Sequence, residues 1–464
     1  MTSSRAFITA AALTLVTAAP AAGAWQAPQP ASTGAGDAAS PDVAVNARGD
    51  ALMAWVQDRG GSRRVVASVR PAGGEWEVPR TVSPPGRSAA DPRVALGPGG
   101  RMVVLWRQVL GTRTIRQGGR ATTQALYVAR ARERTVAARR WGATATLSSP
   151  RQKVGPPAVA IDRAGVAIAT WHWGTGTRPG GPGYVGEVQT SESRRGRAWT
   201  TPRRVSASAD CRGGSRLPDI AAGPDGHVAV WWECLRGPAR GTVAAIGRGP
   251  AAGAWSRWRT LAVGTDAGQV LRIAVGPGGR VLAAGTHAAP SRIAGGIRWW
   301  RGVTGRGGLS LSRVGAPPAA TSTRAGDAVA VSLDPAGAGL AAWTRPSGAL
   351  AVADVPPAGD VGAPEELGDP AARLSSPAAG VAAGGRGAIV AVTGAGGAGA
   401  RVTAFTRTAG GAWSEPQPLS APGAIGADGS PRLGIDASGG AVAVWSRRDG
   451  GRNVVERAAF RPDA

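Results

Sequence analysis

A stretch of fifteen residues, Pro41 to Trp55, returns in varied form eight times and limits what this chain can fold into. Each copy reads as a short apolar strand, a tight turn ending near Gly, and a second apolar strand that usually closes on Trp. The copies align without gaps on Gly49, Gly100, Gly165, Gly226, Gly279, Gly337, Gly387 and Gly439. Six residues further on stand Trp55, Trp106, Trp171, Trp232, Gly285, Trp343, Thr393 and Trp445. Eight residues earlier, Pro41, Pro92, Pro157, Pro218 and Pro431 open five of the copies. A unit of this kind cannot bury its apolar face alone, so the units must stack into one body.

A second pattern follows each copy: Trp, then Pro at +3 and an apolar residue at +6. Trp76-Pro79-Val82, Trp199-Pro202-Val205 and Trp413-Pro416-Leu419 fit it in full. Trp141-Leu147 and Trp255-Leu261 keep its ends; Val361-Pro364-Leu367 and Gly308-Leu311-Val314 are weakened forms. With a third strand such as Val65 to Val69 between the two patterns, each unit holds four strands. Four strands per unit, tight turns and no helical period predict an all-β protein, a β-propeller of four-stranded blades.

The chain ends settle how the ring closes. The eighth unit stops at Ala464 without a Trp-led strand, and that strand stands unpartnered at Trp25 to Ser32. Pairing the two removes the free edges an open stack would expose. Eight blades follow; seven is the alternative, because units five and seven have lost their repeat Trp.

The turns between first and second strands are uniformly short. Length varies at Arg107 to Gln124, His172 to Tyr184, Ala207 to Arg216, Glu233 to Arg240 and Pro317 to Gly326, all on the opposite face. Variable loops on a rigid scaffold are where binding resides. That reading selects His172, Trp173, Glu233 and Arg236 as ligand-binding residues, with Trp173 in a long loop. Cys211 and Cys234 fall in neighbouring loops of the same face and are expected to form a disulfide.

Of 17 Trp, twelve hold the two repeat positions and read as wedges between blades. Trp299 and Trp300 occur in the unit that has Gly285, so one of them is expected to fill that gap.

The net charge of +25 and pI near 11.7 suggest an anionic partner, or simply an Arg-rich solvated surface, since Lys153 is the only lysine. Arg70, Arg130, Arg132, Arg134, Arg139, Arg140, Arg194, Arg195, Arg248 and Arg407 gather at the third-to-fourth-strand turns, a basic rim on the short-turn face. Residues 1–24 read as a signal peptide: Arg5, an apolar core from Ala6 to Ala18, and the small residues Ala22-Gly23-Ala24. A single propeller domain, 25–464, is then exported to the cell surface or medium, where nucleic acid is not the expected partner. The apolar run is too short for a membrane span. His172, His227 and His287 are scattered, with no metal or triad spacing, and no cofactor is expected.

The segments AGGEW, ending at Trp76, and TAGGAWSEPQPLS, ending at Ser420, resemble the BNR or Asp-box repeats of sialidase-like propellers, in the turn where that box lies. Ala72 and Ala409 stand near where the box has Asp, and Glu75 and Ala412 where it has Thr. The resemblance implies a glycoside-processing architecture with an arginine cluster, a Tyr nucleophile activated by Glu, and an acid. Tyr127, within a third strand, and Tyr184, at a loop end, are the two tyrosines. Asp42, Asp91, Asp219 and Asp327 start or precede first strands and can face the central channel. The expectation is a non-enzymatic binding module for carbohydrate or an anionic cell-surface polymer. A sialidase-like hydrolase or lyase and a structural scaffold are the alternatives.

Overall fold

The computed structural model describes residues 23–462, apart from 118–119, 151–152, 176–184, 207–214, 235–242, 250–254, 257–258, 262–270, 289–294, 306–307, 315–328, 395–398, 424 and 426–429. Residues 1–22, most of the expected signal peptide, lie outside that range. Eight antiparallel sheets, each of four strand positions taken in chain order, form a closed eight-bladed β-propeller. The first strands, from Ala38–Val45 in blade 1 to Arg432–Ile435 in blade 8, touch one another in sequence around the ring and form its inner wall. Among the described residues, no helix is long and apolar enough to cross a membrane.

The ring closes as its ends predict. Ala24–Trp25 and Gln29–Pro30 pair with the third strand of blade 8, Arg452–Arg461, with Trp25 opposite Phe460 and Gln29 opposite Arg457. Trp25 and Ala31 are buried in the seams on either side of that blade.

The turn between first and second strands explains the repeat glycine. In blade 1 the Asn46 N–H donates to the Asp50 carbonyl and the Gly49 N–H to that of Asn46. Gly49 has φ +89°, a conformation without penalty only for a residue lacking Cβ. This bonding corrects the gapless alignment in one place. In blade 7 it runs from Ala382 to Arg386, and the turn glycine is Gly385, at φ +77°, rather than Gly387. The corrected frame places Ala391 where Thr393 was expected and recovers a sixth opening proline, Pro377.

Counted from the turn glycine, even positions of the second strand face the preceding blade and odd positions the following one, as the period of two requires. Met102, Val104 and Trp106 pack on blade 1, while Val103 and Leu105 pack on blade 3. The result is eight apolar seams, one between each pair of neighbours. Trp55, Trp106, Trp171, Trp232, Trp343 and Trp445 are essentially fully buried there.

Blades 5 and 7 replace the missing Trp in the same way. Trp300 lies opposite Ala283, and Phe405 opposite Ile389; Ala283 and Ile389 are both fourth after the turn glycine. Each ring enters the seam facing the preceding blade. The other six blades have Ser68, Arg132, Ser191, Ile246, Ala353 and Ala458 at that third-strand position. Trp300 therefore fills the gap left by Gly285. Trp299 faces the other way, edge-on to Trp343 with ring centres 5.5 Å apart.

The fourth-strand tryptophans are not all wedges. Trp76, Trp141, Trp255 and Trp413 carry a third-strand guanidinium over the ring, from Arg70, Arg134, Arg248 and Arg407, at 4.9–5.5 Å. This also corrects the basic rim. Arg134 and Arg248 are buried and Arg407 is nearly so, each bound to a carboxylate of the preceding blade.

Candidate functional site

The inner wall is bulged at one repeated place. Pairing slips between Ala39 and Asp42, Ala90 and Arg93, Arg216 and Asp219, and Ser375 and Ala378. In three of these the residue before the repeat proline is left-handed: Ser40 at φ +52°, Asp91 at +49° and Ser376 at +51°. A non-glycine residue there costs roughly 1–3 kcal/mol, and such bulges re-aim the side chains beside them.

The residue after the bulge is Asp42, Arg93, Ala158, Asp219, Arg272, Ala330, Ala378 and Arg432 in blades 1 to 8. Arg432 of blade 8 interacts electrostatically with Asp42 and Arg93, and also with Asp219 and Arg272 on blades 4 and 5 across the ring. Only the axis connects those positions. Three guanidinium groups and two carboxylates therefore share the central channel. Burial pushes Arg432 below the usual guanidinium range, Asp42 opposes that shift, and Arg93 and Arg272 add to it. Arg432 keeps partial solvent access, as a group lining a water-filled bore does. The Asp42 carboxylate also accepts the Val94 N–H of the next blade at 2.9 Å. Of the aspartates expected at the channel, Asp42 and Asp219 are in this cluster and Asp327 lies outside the described residues.

At the mouth, the seventh position after the turn glycine is Arg107, His172 and Glu233 in blades 2, 3 and 4. Arg107 is ion-paired with Asp91 and lies over the Tyr127 ring at 4.5 Å. Lys153 stands nearby; burial, then repulsion from Arg113 and Arg107, lowers its pKa. Tyr127 and Trp173 both pack, half-buried, against the seam of blades 2 and 3.

Several sequence expectations change here. Trp173 is in the second strand of blade 3, Ala167–Thr175, paired with Glu187 and Val154, not in a long loop. Glu233 and Cys234 end the second strand of blade 4, Val228–Cys234, and both are buried. The expected loop from Arg107 to Gln124 is a hairpin, because the strands Arg101–Gln117 and Arg120–Thr135 stay paired almost to its tip. Arg236, Cys211 and Tyr184 lie outside the described residues. Two cavities, of about 190 and 420 Å³, lie on the short-turn face, opposite the variable loops from which the site was expected. Among the described residues, no group of His, Cys, Asp or Glu is placed to hold a metal ion. Sequence reasoning missed Arg93, Arg272 and Arg432; the signal was available in the column seven residues before the turn glycine, which follows the repeat proline in blades 2 and 8 and Leu271 in blade 5.

No family model matches this sequence, and no curated protein does. Solved structures match over nearly the whole chain at low identity. A lectin from Burkholderia pseudomallei is 14% identical, with TM-score 0.46 over 93% of this chain and 97% of its own. An α-L-arabinanase from Penicillium chrysogenum, complexed with arabinobiose, is 10% identical, with TM-score 0.42 over 95% and 98%. A Hadza microbial sialidase is 14% identical, with TM-score 0.41 over 88% and 76%. At such identities the likeness is one of fold. It nevertheless corrects the expectation of a non-enzyme: sialidases and an arabinanase are prominent among the similar structures, beside a lectin, so this architecture gives no ground for setting catalysis aside.

Proposed function

We propose that this protein is an exported propeller that recognises a saccharide at the central channel and its mouth on blades 2 to 4. The observation that carries the reading is the set Asp42, Arg93, Asp219, Arg272 and Arg432 around one axis. An apolar or small-residue bore would serve a scaffold equally well, whereas alternating carboxylates and guanidinium groups suit a ligand dense in hydroxyls. The excess of cations favours an acidic sugar or anionic cell-surface polymer. Tyr127 and Trp173 supply aromatic surface beside the polar groups. The degenerate Asp-box segments at Trp76 and Trp413 agree with a glycan-directed ancestry.

Asp42 and Asp219 favour a second reading, hydrolysis of a glycosidic bond, because two carboxyl groups facing one channel are the minimum for paired acid and base work. A screen of neutral and acidic glycans, with parallel assays on aryl glycosides including sialosides, tests both. Binding lost in Arg272→Met and Arg432→Met supports recognition; turnover lost in Asp219→Asn supports hydrolysis. Binding that survives all three substitutions removes the channel as the site.

Export and the disulfide are part of the proposal. Cys234 is not a free thiol, and Cys211 is the only other cysteine. Peptide mapping without reductant that returned both as free thiols would refute the bridge.

A further inference from the structure

Three of the four stacked arginines are neutralised by the blade before them. Arg134 holds both oxygens of Glu77 at 2.8 Å. Arg248 binds Glu192 at 2.7 Å and Asp162 at 3.0 Å. Arg407 holds both oxygens of Asp354, at 2.7 and 2.8 Å. Glu192 and Asp354 occupy the same place in their blades, the third-strand residue opposite the third position after the turn glycine.

Arg70 is the fourth, and the blade before it is blade 8. There the equivalent third-strand residue is Ala459, opposite Val442. Among the described residues, no carboxylate pairs with Arg70, and its Nε is buried without a hydrogen-bond partner. Further positive charge has gathered instead. Arg457 also lies over the Trp76 ring, at 5.2 Å, and Arg461 is close enough to repel Arg70. Burial first, then that repulsion, lowers the Arg70 pKa, and burial followed by repulsion from Arg70 does the same to Arg457. Glu75 and Asp436 oppose the shift on Arg70 from nearby without pairing with it. Arg70, Arg457 and Arg461 line one cavity of about 190 Å³, together with Trp76, Glu75 and Gln29. That is room for one small group and its water. The cavity sits where the N-terminal segment, blade 1 and blade 8 meet.

We infer that this cavity binds a small oxyanion, a carboxylate, sulfate or phosphate group held by Arg70, Arg457 and Arg461, which takes the place of the carboxylate that Ala459 lacks. The ligand bridges the seam at which the ring closes, so occupancy stabilises closure by mass action. Guanidinium groups suit this role because their planar donors match carboxylate and phosphate oxygens. The site lies on the short-turn face and is independent of the channel.

Melting of the purified protein is measured in inorganic phosphate, sulfate or glucuronate against chloride at equal ionic strength, with calorimetric titration of the same ions. At least one ion raises the melting temperature by about 2 °C and binds saturably. Glucuronate alone would assign the group to a sugar acid; phosphate or sulfate alone would assign a tetrahedral anion. Arg70→Gln removes the response and melts no lower than wild type in chloride, because it relieves repulsion. Ala459→Asp restores the pattern of the other seams, raises the melt in chloride and also removes the response. Arg457→Gln serves the same purpose should Ala459→Asp fold poorly. Arg134→Gln, at a neutralised seam, lowers the melt and keeps the response. No saturable effect from any of the three ions, or a full response in Arg70→Gln, overturns the inference.

Discussion

Six blades seat a tryptophan on the second strand, six residues past the turn; blades 5 and 7 carry Gly285 and Ala391 there, yet their seams are closed just as well. The aromatic volume has moved to the neighbouring strand of the same sheet, as Trp300 and Phe405. What the fold requires is a large ring at a fixed point between sheets, because a void there loses its dispersion partners on both walls. It does not require that the ring come from a particular strand. The seams differ in the same manner electrostatically. Between blades 3 and 4 a buried Arg248 is paired with two carboxylates, whereas between blades 8 and 1 Arg70 has further arginines beside it and, among the described residues, no paired carboxylate.

The comparison can be broken most forcefully at the closing seam. Removing residues 24–32 takes away the outer strand of blade 8 with Trp25 and Ala31, and lowers stability by more than about 5 kcal/mol. A melt that does not move would mean the ring closes without that strand. Next in size are Trp171→Ala and Trp300→Ala, each expected to cost about 3–5 kcal/mol in denaturant titrations. Similar losses support equivalence of the two placements; a loss below about 1 kcal/mol for Trp300→Ala would show that blade 5 is closed by something else.

Arg248→Met leaves the buried Asp162 and the partly exposed Glu192 without their cation and costs about 3 kcal/mol, while Arg70→Met costs little. Equal losses would erase the electrostatic distinction between the two seams.

The smallest effect concerns Asp50, which ties the first turn of blade 1 to the outer turn of the same blade through the Ala72 N–H at 3.0 Å. Burial alone would raise its pKa, but hydrogen bonds from Asn46, Ala72 and Arg48 together outweigh it and hold the group below the usual carboxylate range. A folded value below the unfolded one, about 3.9, means the stabilisation is complete above that pH and is lost as pH falls through the folded value. Asp50→Asn is therefore expected to cost about 1 kcal/mol at pH 7, and the difference shrinks as pH is lowered through the folded value and the wild-type carboxylate protonates. A constant difference across that range would assign the loss to packing instead.

The sequence by itself determined the strands in each blade and the way the ends meet, and narrowed the blades to eight or seven, of which the structure has eight. Those are properties of a repeat, set by local spacing, and fifty-residue periodicity survives the loss of individual residues such as the Trp replaced by Gly285. It also held a sixth opening proline, Pro377 of blade 7, but the choice between Gly385 and Gly387 as turn glycine hid it until the positive φ at Gly385 fixed the turn. Only the tertiary structure decided which charges meet. Arg432 and Asp219 are on opposite sides of a ring, and Arg70 and Arg457 at opposite ends of the chain, so no spacing along the sequence relates them. Likewise Trp173 and Glu233 read as loop residues because their strands run on past the repeat motif, and strand length is set by pairing with a neighbour rather than by the residues themselves.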